Sequence, residues 1–397
     1  MQTPQGMRRH VGLFGDTNAG KSSLLNALLD EKRAIVSDQE GTTTDPVSVN
    51  MEMNPYGPIT LIDTAGLDDW TPLGQERLKK TREAMRRCDV AILVIDARAA
   101  WKQGLPAFAF PGPVLTLASK CDTLTETMRR ELKTRHPGLL LWSHDDPAHT
   151  AELKQQLCLC LQSLAQKTER SLVADLLPSG AHVVLVTPLD SQAPAGRLIL
   201  PQVQLIRELL DHGMQAYICR ETELQNTLAN ARQVDLVVTD SQAFAYVDRH
   251  MPSNVPLTSF SMLLARQKGR WQQQYAGIGA LNALKDGDQV LLLEACRHNA
   301  THQDIGRVKI PALLSKKTSK DIVFDHRTGY DLPEDMAPYQ AVILCGSCMI
   351  GQAEIEHRLL HFEKQGIPVS NYGMVLAHCQ GVLERATEIF RRADTVI

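Results

Sequence analysis

Gly15-Asp16-Thr17-Asn18-Ala19-Gly20-Lys21-Ser22 fits G-x-x-x-x-G-K-[ST], directly after the apolar run VGLFG and directly before the helical pattern SSLLNALL. That spacing makes a strand-to-helix junction into a phosphate cradle. Glycine lets backbone N–H groups close around phosphates, and the helix N-terminus adds its positive dipole end. Lys21 can reach the outer phosphates, and the Ser22 hydroxyl can ligate Mg²⁺. Asn18, Ala19, Gly20, Lys21, Ser22 and Ser23 are the expected phosphate-side contacts. Asp63-Thr64-Ala65-Gly66 follows the apolar run ITLID. There the Asp63 carboxylate can hold Mg²⁺ through water, and the Gly66 N–H can sense a terminal phosphate.

Ser119-Lys120-Cys121-Asp122 ends the run VLTLAS. A carboxylate here can accept both hydrogen bonds from the N1 and N2 edge of guanine, while Lys120 packs over the loop. In this order the three segments resemble a translation-factor-like GTPase, so GTP and GDP are the expected nucleotides. Ser119 stands where that pattern has Asn, which alters one loop-tethering contact. Ser143, in Leu141-Trp142-Ser143-His144, falls where the fifth base-contacting loop would lie. Gly41-Thr42-Thr43-Thr44-Asp45 resembles the first switch of tRNA-modifying and ribosome-assembly GTPases, with Thr43 closing on Mg²⁺. Lys21, Thr43 and Asp63 are thus the expected catalytic set. Leu67 occupies the place where many GTPases carry a water-orienting Gln. Asn18 matches the loop asparagine that in related GTPases helps bind K⁺, whose charge then acts like an arginine finger.

A second chemistry is written further along. Cys296-Arg297-His298 ends the run VLLLEAC, and Cys345-Gly346-Ser347-Cys348 ends AVILC, with DIVFDH between them. If these runs are parallel strands, the four side chains gather at the edge where α/β sheets form binding sites. Three thiolates and an imidazole suit tetrahedral Zn²⁺ or an iron–sulfur cluster, and the donor set serves either. His302 is close enough in sequence to support a ligand or exchange with one. Cys158 and Cys160 sit two apart in a helical pattern and do not share a face. Cys88, Cys121, Cys219 and Cys379 read as single core or near-surface thiols.

The elements that must position these residues alternate between short apolar runs and helical periodicity from His10 to about Gln166. This predicts strands and helices around a mostly parallel sheet. Pro and Gly punctuation at Leu176-Leu177-Pro178-Ser179-Gly180 marks a boundary near residue 170. Beyond it HVVLVTPLD, QAYICRE and DLVVTD read as strands separated by helices at 201–212 and 223–232, and a helical tail runs from Met374 to Ala393. The expected architecture is α/β throughout: a P-loop GTPase domain over 1–170, then two smaller, mostly parallel α/β domains over 171–266 and 267–397.

A chain of 397 residues has room for two or three such domains. Lys plus Arg total 42 against 45 Asp plus Glu, a formal net charge of −3, which gives no broad electrostatic reason to bind nucleic acid or anionic lipid. The longest apolar runs fall far short of the roughly 18 residues a membrane span needs. The N-terminal residues lack a signal-peptide core, so a cytoplasmic protein is expected. Nine cysteines without secretory context argue for reduced thiols or metal ligands.

A GTPase domain followed by two α/β segments and C-x-H…C-x-x-C resembles the FeFe-hydrogenase maturation GTPases, the HydF family. Asp304-Ile305-Gly306-Arg307-Val308-Lys309-Ile310-Pro311 resembles a signature of the same family. The resemblance implies a middle dimerisation domain, a homodimer or higher homo-oligomer, and a C-terminal domain that binds a 4Fe–4S cluster. Carried over residue by residue, it makes Cys296, Cys345 and Cys348 the cluster ligands. Leu344 stands where many members have His, which leaves His298 or solvent to complete the site. It further implies a scaffold that receives a di-iron unit and passes it on, with two radical-type maturases and the immature FeFe-hydrogenase as partners. The competing readings are a ribosome-assembly or tRNA-modifying GTPase with structural zinc, and a redox switch in which a cluster controls GTP hydrolysis.

Overall fold

The computed structural model describes residues 5–29, 47–66, 72–168, 170–188, 198–295, 305–329, 332–333 and 335–394. Thr43, Leu67, Cys296, His298 and His302 lie outside the described residues. The chain forms two compact units, residues 1–169 with 351–354 and residues 170–350 with 355–397.

In the first unit β1 (Arg9–Phe14), α1 (Lys21–Leu29), β2 (Val47–Met53), β3 (Gly57–Asp63), α2 (Pro72–Arg87) and β4 (Val90–Asp96) follow in order. They continue into α3 (Ala97–Gln103), β5 (Val114–Ser119), α4 (Glu126–Arg135), β6 (Leu140–Leu141) and α5 (Pro147–Thr168). The six strands are ordered β2-β3-β1-β4-β5-β6, and only the β2–β3 pairing is antiparallel. Val90 to Ile95 is buried along its whole length, because helices cover both faces of a parallel sheet. Alternate residues serve the two sides. Val11, Leu13, Ile92 and Val94 pack with Leu24, Leu28, Leu153 and Leu157, whereas Phe14, Ala91, Leu93 and Ile95 pack with Ala84 and Leu132.

The second unit holds two four-stranded sheets, both entirely parallel. The first is built from β7 (His182–Val186), α6 (Leu200–Asp211), β8 (Gln215–Cys219), α7 (Leu224–Asn230), β9 (Leu236–Thr239), α8 (Phe244–His250), β10 (Leu257–Ser259) and α9 (Phe260–Lys268). Its order is β10-β9-β7-β8. After α10 (Trp271–Asn282) come β11 (Gln289–Glu294), α11 (Ile310–Thr318), β12 (Val323–Thr328), β13 (Tyr339–Leu344), α12 (Gln352–Lys364), β14 (Val369–Asn371), α13 (Tyr372–Cys379) and α14 (Leu383–Asp394). The second sheet is ordered β12-β11-β13-β14. One apolar core joins the two sheets, with Val183, Leu185 and Val237 in the same cluster as Val290, Leu292 and Ile343.

The expected helical tail is two helices instead of one. Gly381, at φ +78°, turns the chain between α13 and α14, and its N–H closes back on the His378 carbonyl. Ahead of the second unit's first strand, Glu208 on α6 accepts hydrogen bonds from the backbone N–H groups of Leu172, Val173 and Ala174 at 2.9, 2.8 and 3.0 Å. One carboxylate thereby satisfies three amides that no ladder reaches. Glu208→Ala is expected to lower the unit's unfolding free energy by about 2 kcal/mol, and Glu208→Gln, which keeps one acceptor oxygen, by less. Urea denaturation followed by circular dichroism checks that order.

Candidate functional site

The phosphate loop runs from β1 into α1, and its first turn depends on Gly15. At φ +144° a Cβ there would stand 2.0 Å from the Val94 carbonyl oxygen, so no other residue fits. Lys21, only 7% exposed, bends back so that its ammonium donates to the carbonyls of Gly15 and Asp16 at 2.9 and 2.8 Å. A terminal phosphate would compete for that same ammonium. The Ser22 hydroxyl donates to Asp63 Oδ2 at 2.8 Å, which brings together the two expected Mg²⁺ groups from α1 and β3.

The other Asp63 oxygen, Oδ1, is buried without a hydrogen-bond partner among the described residues. Burial pushes the Asp63 carboxyl up, against the Ser22 hydroxyl and the Lys21 charge. An orphaned carboxylate oxygen beside a serine hydroxyl is a donor set that suits Mg²⁺. Thr64 locks the turn that follows, its hydroxyl donating to the Leu13 carbonyl at 2.7 Å, ahead of Gly66.

The loop expected to read the base leaves β5 and is tied directly to the phosphate loop. The Ser119 hydroxyl, fully buried, donates to the Ala19 carbonyl at 2.6 Å and approaches the Ile95 carbonyl at 3.1 Å. Serine thus supplies a tether of its own where the related pattern has Asn. Lys120, in the left-handed region at φ +56°, donates to the Asn18 carbonyl at 2.7 Å and pairs with Asp96 at 3.0 Å. Asn18 itself sits at φ +62°. Asp122 is exposed on the short turn that follows. Ser143, after β6, is buried with its hydroxyl 3.4 Å from His149 Nδ1. Sequence reasoning missed Asp96 and His149. Asp96 ends the run VAILVID and doubles as the cap of α3, accepting from the Arg98 amide at 2.9 Å; an acidic residue at a strand end was its only signal.

In the second unit, β12 lies on one side of β11 and β13 on the other, so the loops after β11 and β13 flank a topological switch point. Cys345 emerges from β13 at that edge, its N–H held by the Leu293 carbonyl at 3.0 Å. Its sulfur accepts from the Ala295 amide at 3.1 Å and from the Ser347 amide at 3.4 Å. Ser347 takes φ +53°, which turns the C-x-x-C loop. Burial pushes the Cys348 thiol up, as does the neighbouring Cys345, while the Lys268 charge opposes both. The Lys268 ammonium, buried behind this loop, is pulled down to about 8 by desolvation.

Two amide N–H groups aimed at one sulfur can share the charge of a thiolate once it is bound to a metal. Among the described residues no three metal-ligating side chains gather. Cys345 and Cys348 are brought to the switch-point edge; Cys296 and His298 lie outside the described residues, and Ala295 is the residue before Cys296. Lys268 was also missed, because a lysine ending a helix reads as a solvated cation.

Ser119→Ala removes the tether and leaves the Ala19 carbonyl without that donor in a dry environment. A loss of about 1–2 kcal/mol in guanine-nucleotide affinity is expected, roughly tenfold in Kd. Titration with a fluorescent GDP analogue measures it.

Comparison with known proteins gives the family of the domains that carry these residues. Residues 10–120 match a family model described as 50S ribosome-binding GTPase, residues 172–269 the Hydrogen maturase F dimerization domain, and residues 272–389 the Hydrogen maturase F tetramerization domain. Among curated proteins, the tRNA modification GTPase MnmE of Flavobacterium psychrophilum is 31% identical over 175 residues, 42% of this chain and 38% of that protein. GTPase Der of Nautilia profundicola is 45% identical over 91 residues, 22% of this chain and 20% of its own length. The chain therefore spans well under half of these relatives. Among solved structures, a variant of Aquifex aeolicus Era bound to GDP and AlF4⁻ matches at a TM-score of 0.30 and 23% identity, covering 50% of this chain and 65% of that one. No helix among the described residues is long and apolar enough to cross a membrane. With a GTPase domain followed by both Hydrogen maturase F oligomerisation domains, which together imply a homo-oligomer, the chain belongs to the HydF family.

Proposed function

We propose that this chain is a GTP-hydrolysing scaffold that binds a 4Fe–4S cluster and hands a di-iron precursor to immature FeFe-hydrogenase. One observation carries the reading: a C-x-x-C sulfur that receives two amide N–H groups at a sheet switch point shares a chain with a complete phosphate loop. Soft thiolates in a nest of N–H donors favour an iron–sulfur centre over a hard cation. Cys296, Cys345 and Cys348 would hold the cluster, with His298 or solvent as the fourth ligand. Two radical-type maturases would load the scaffold, and nucleotide state would bias which partner stays bound.

At the other site Mg²⁺ would neutralise the phosphates from Ser22, Thr43 and Asp63. Lys21 exchanges its two loop carbonyls for the outer phosphates, Gly66 presents its N–H to the terminal phosphate, and Asp122 with Lys120 and Ser143 selects guanine. With Leu67 in place of a catalytic Gln, Asn18 would recruit K⁺ to the phosphate loop.

The homo-oligomer would form at β8. Among the described residues this strand is one edge of its sheet, and Ile218 on it is 49% exposed, with Val203 and Leu210 of α6 exposed in the same domain. An edge strand with apolar neighbours is the surface a second copy pairs with.

Lys21→Ala is expected to abolish GTP hydrolysis while leaving iron and sulfide content unchanged, and wild-type protein should turn over faster in KCl than in NaCl. Cys345→Ser should strip or destabilise the reconstituted cluster. His298→Ala should keep its iron but change the EPR signal. Anaerobically purified wild-type protein that holds one zinc and no iron would overturn the scaffold reading.

A further inference from the structure

Lys268, the last residue of α9, belongs to the segment matched to the dimerization domain, yet its side chain ends inside the C-x-x-C loop of the other sheet. It is 7% exposed. Its Nζ donates to the carbonyls of Ser347, Cys348 and Ile350 at 3.2, 3.4 and 3.0 Å, so every ammonium N–H is committed to one loop. No carboxylate pairs with it among the described residues.

Two consequences follow from those contacts. Carbonyls drawn toward the ammonium hold the loop's peptide planes, and the Ser347 amide faces the Cys345 sulfur on the same short stretch of chain. A buried cation without a carboxylate is costly unless an anion stands nearby. Among the described residues, the groups beside it that can carry negative charge are the sulfurs of Cys345 and Cys348 when they hold a metal. Each thiolate brings negative charge to the metal it binds, and reduction of the centre adds another beside the ammonium.

We propose that Lys268 is a positioning residue of the sulfur site, a clamp on the C-x-x-C loop whose ammonium stabilises the anionic metal–thiolate centre and its reduced state. The identity of that centre as 4Fe–4S, and with it the effect on reduction, rests on the proposed function; the clamp does not. Net charge and hydrogen bonds to sulfur are among the factors that set cluster potentials, so a neutral side chain here should make reduction harder.

The test compares wild type, Lys268→Met and Lys268→Arg as full-length protein, with circular dichroism to establish folding. In the first arm each apo protein is titrated anaerobically with Co²⁺ and read by thiolate-to-cobalt absorption. Lys268→Met should bind several-fold more weakly, and Lys268→Arg should recover most of the loss. In the second arm the reconstituted cluster is titrated by EPR-monitored reduction, where Lys268→Met should shift to a more negative midpoint and Lys268→Arg should stay near wild type. Equal cobalt affinity and equal midpoints in Met and wild type would overturn the proposal. If Lys268→Met does not fold, Lys268→Arg decides: a potential and cobalt affinity as in wild type support a charge role, and loss of both overturns it. Wild-type protein that binds cobalt in a Lys268-dependent way but takes up no iron would sink the cluster reading and leave the clamp standing.

Discussion

Parallel strands deliver every loop that follows them to one edge of the sheet, and the nucleotide site and the proposed sulfur site of this chain both depend on that constraint. The phosphate loop follows β1, Asp63 ends β3, Asp96 ends β4, and the base-reading loop follows β5, so four segments far apart in sequence meet without any of them being long. The second unit repeats the device with different chemistry. There β11 and β13 are neighbours, and the loops that leave them carry sulfur in place of phosphate-binding amides.

Burial gives the two centres opposite electrostatic problems. In the nucleotide site the protein gathers positive charge and N–H dipoles for a polyanion, and Lys21 rests on its own loop carbonyls. In the proposed sulfur site the Lys268 ammonium rests on loop carbonyls and meets no carboxylate among the described residues, with Cys345 and Cys348 on the loop it holds. Each site thus holds a charge whose natural partner is a ligand, which is a common property of sites poised for binding.

Much of this was legible in the sequence because the motifs are local. G-x-x-x-x-G-K-[ST], the Asp63 turn and C-x-x-C each depend on residues within eight positions, and buried parallel strands such as Val90–Ile95 announce themselves as unbroken apolar runs. What escaped were contacts across the fold. Strands β10 and β14 are three residues each, too short for periodicity to register. The break at Gly381 was hidden inside a helical pattern that continues on both sides. Asp96, His149 and Lys268 act through partners 24, 6 and 79 or more positions away, and only the topology brings the distant ones together.

The ties from Ser119 to Ala19 and from Lys120 to Asn18 make the base-reading and phosphate loops a single stiff frame before any nucleotide arrives. Ordering entropy that a floppy loop would surrender on binding is here spent during folding. Capture by these two loops therefore requires little rearrangement of either, and association with them should be limited by diffusion and orientation more than by their closure.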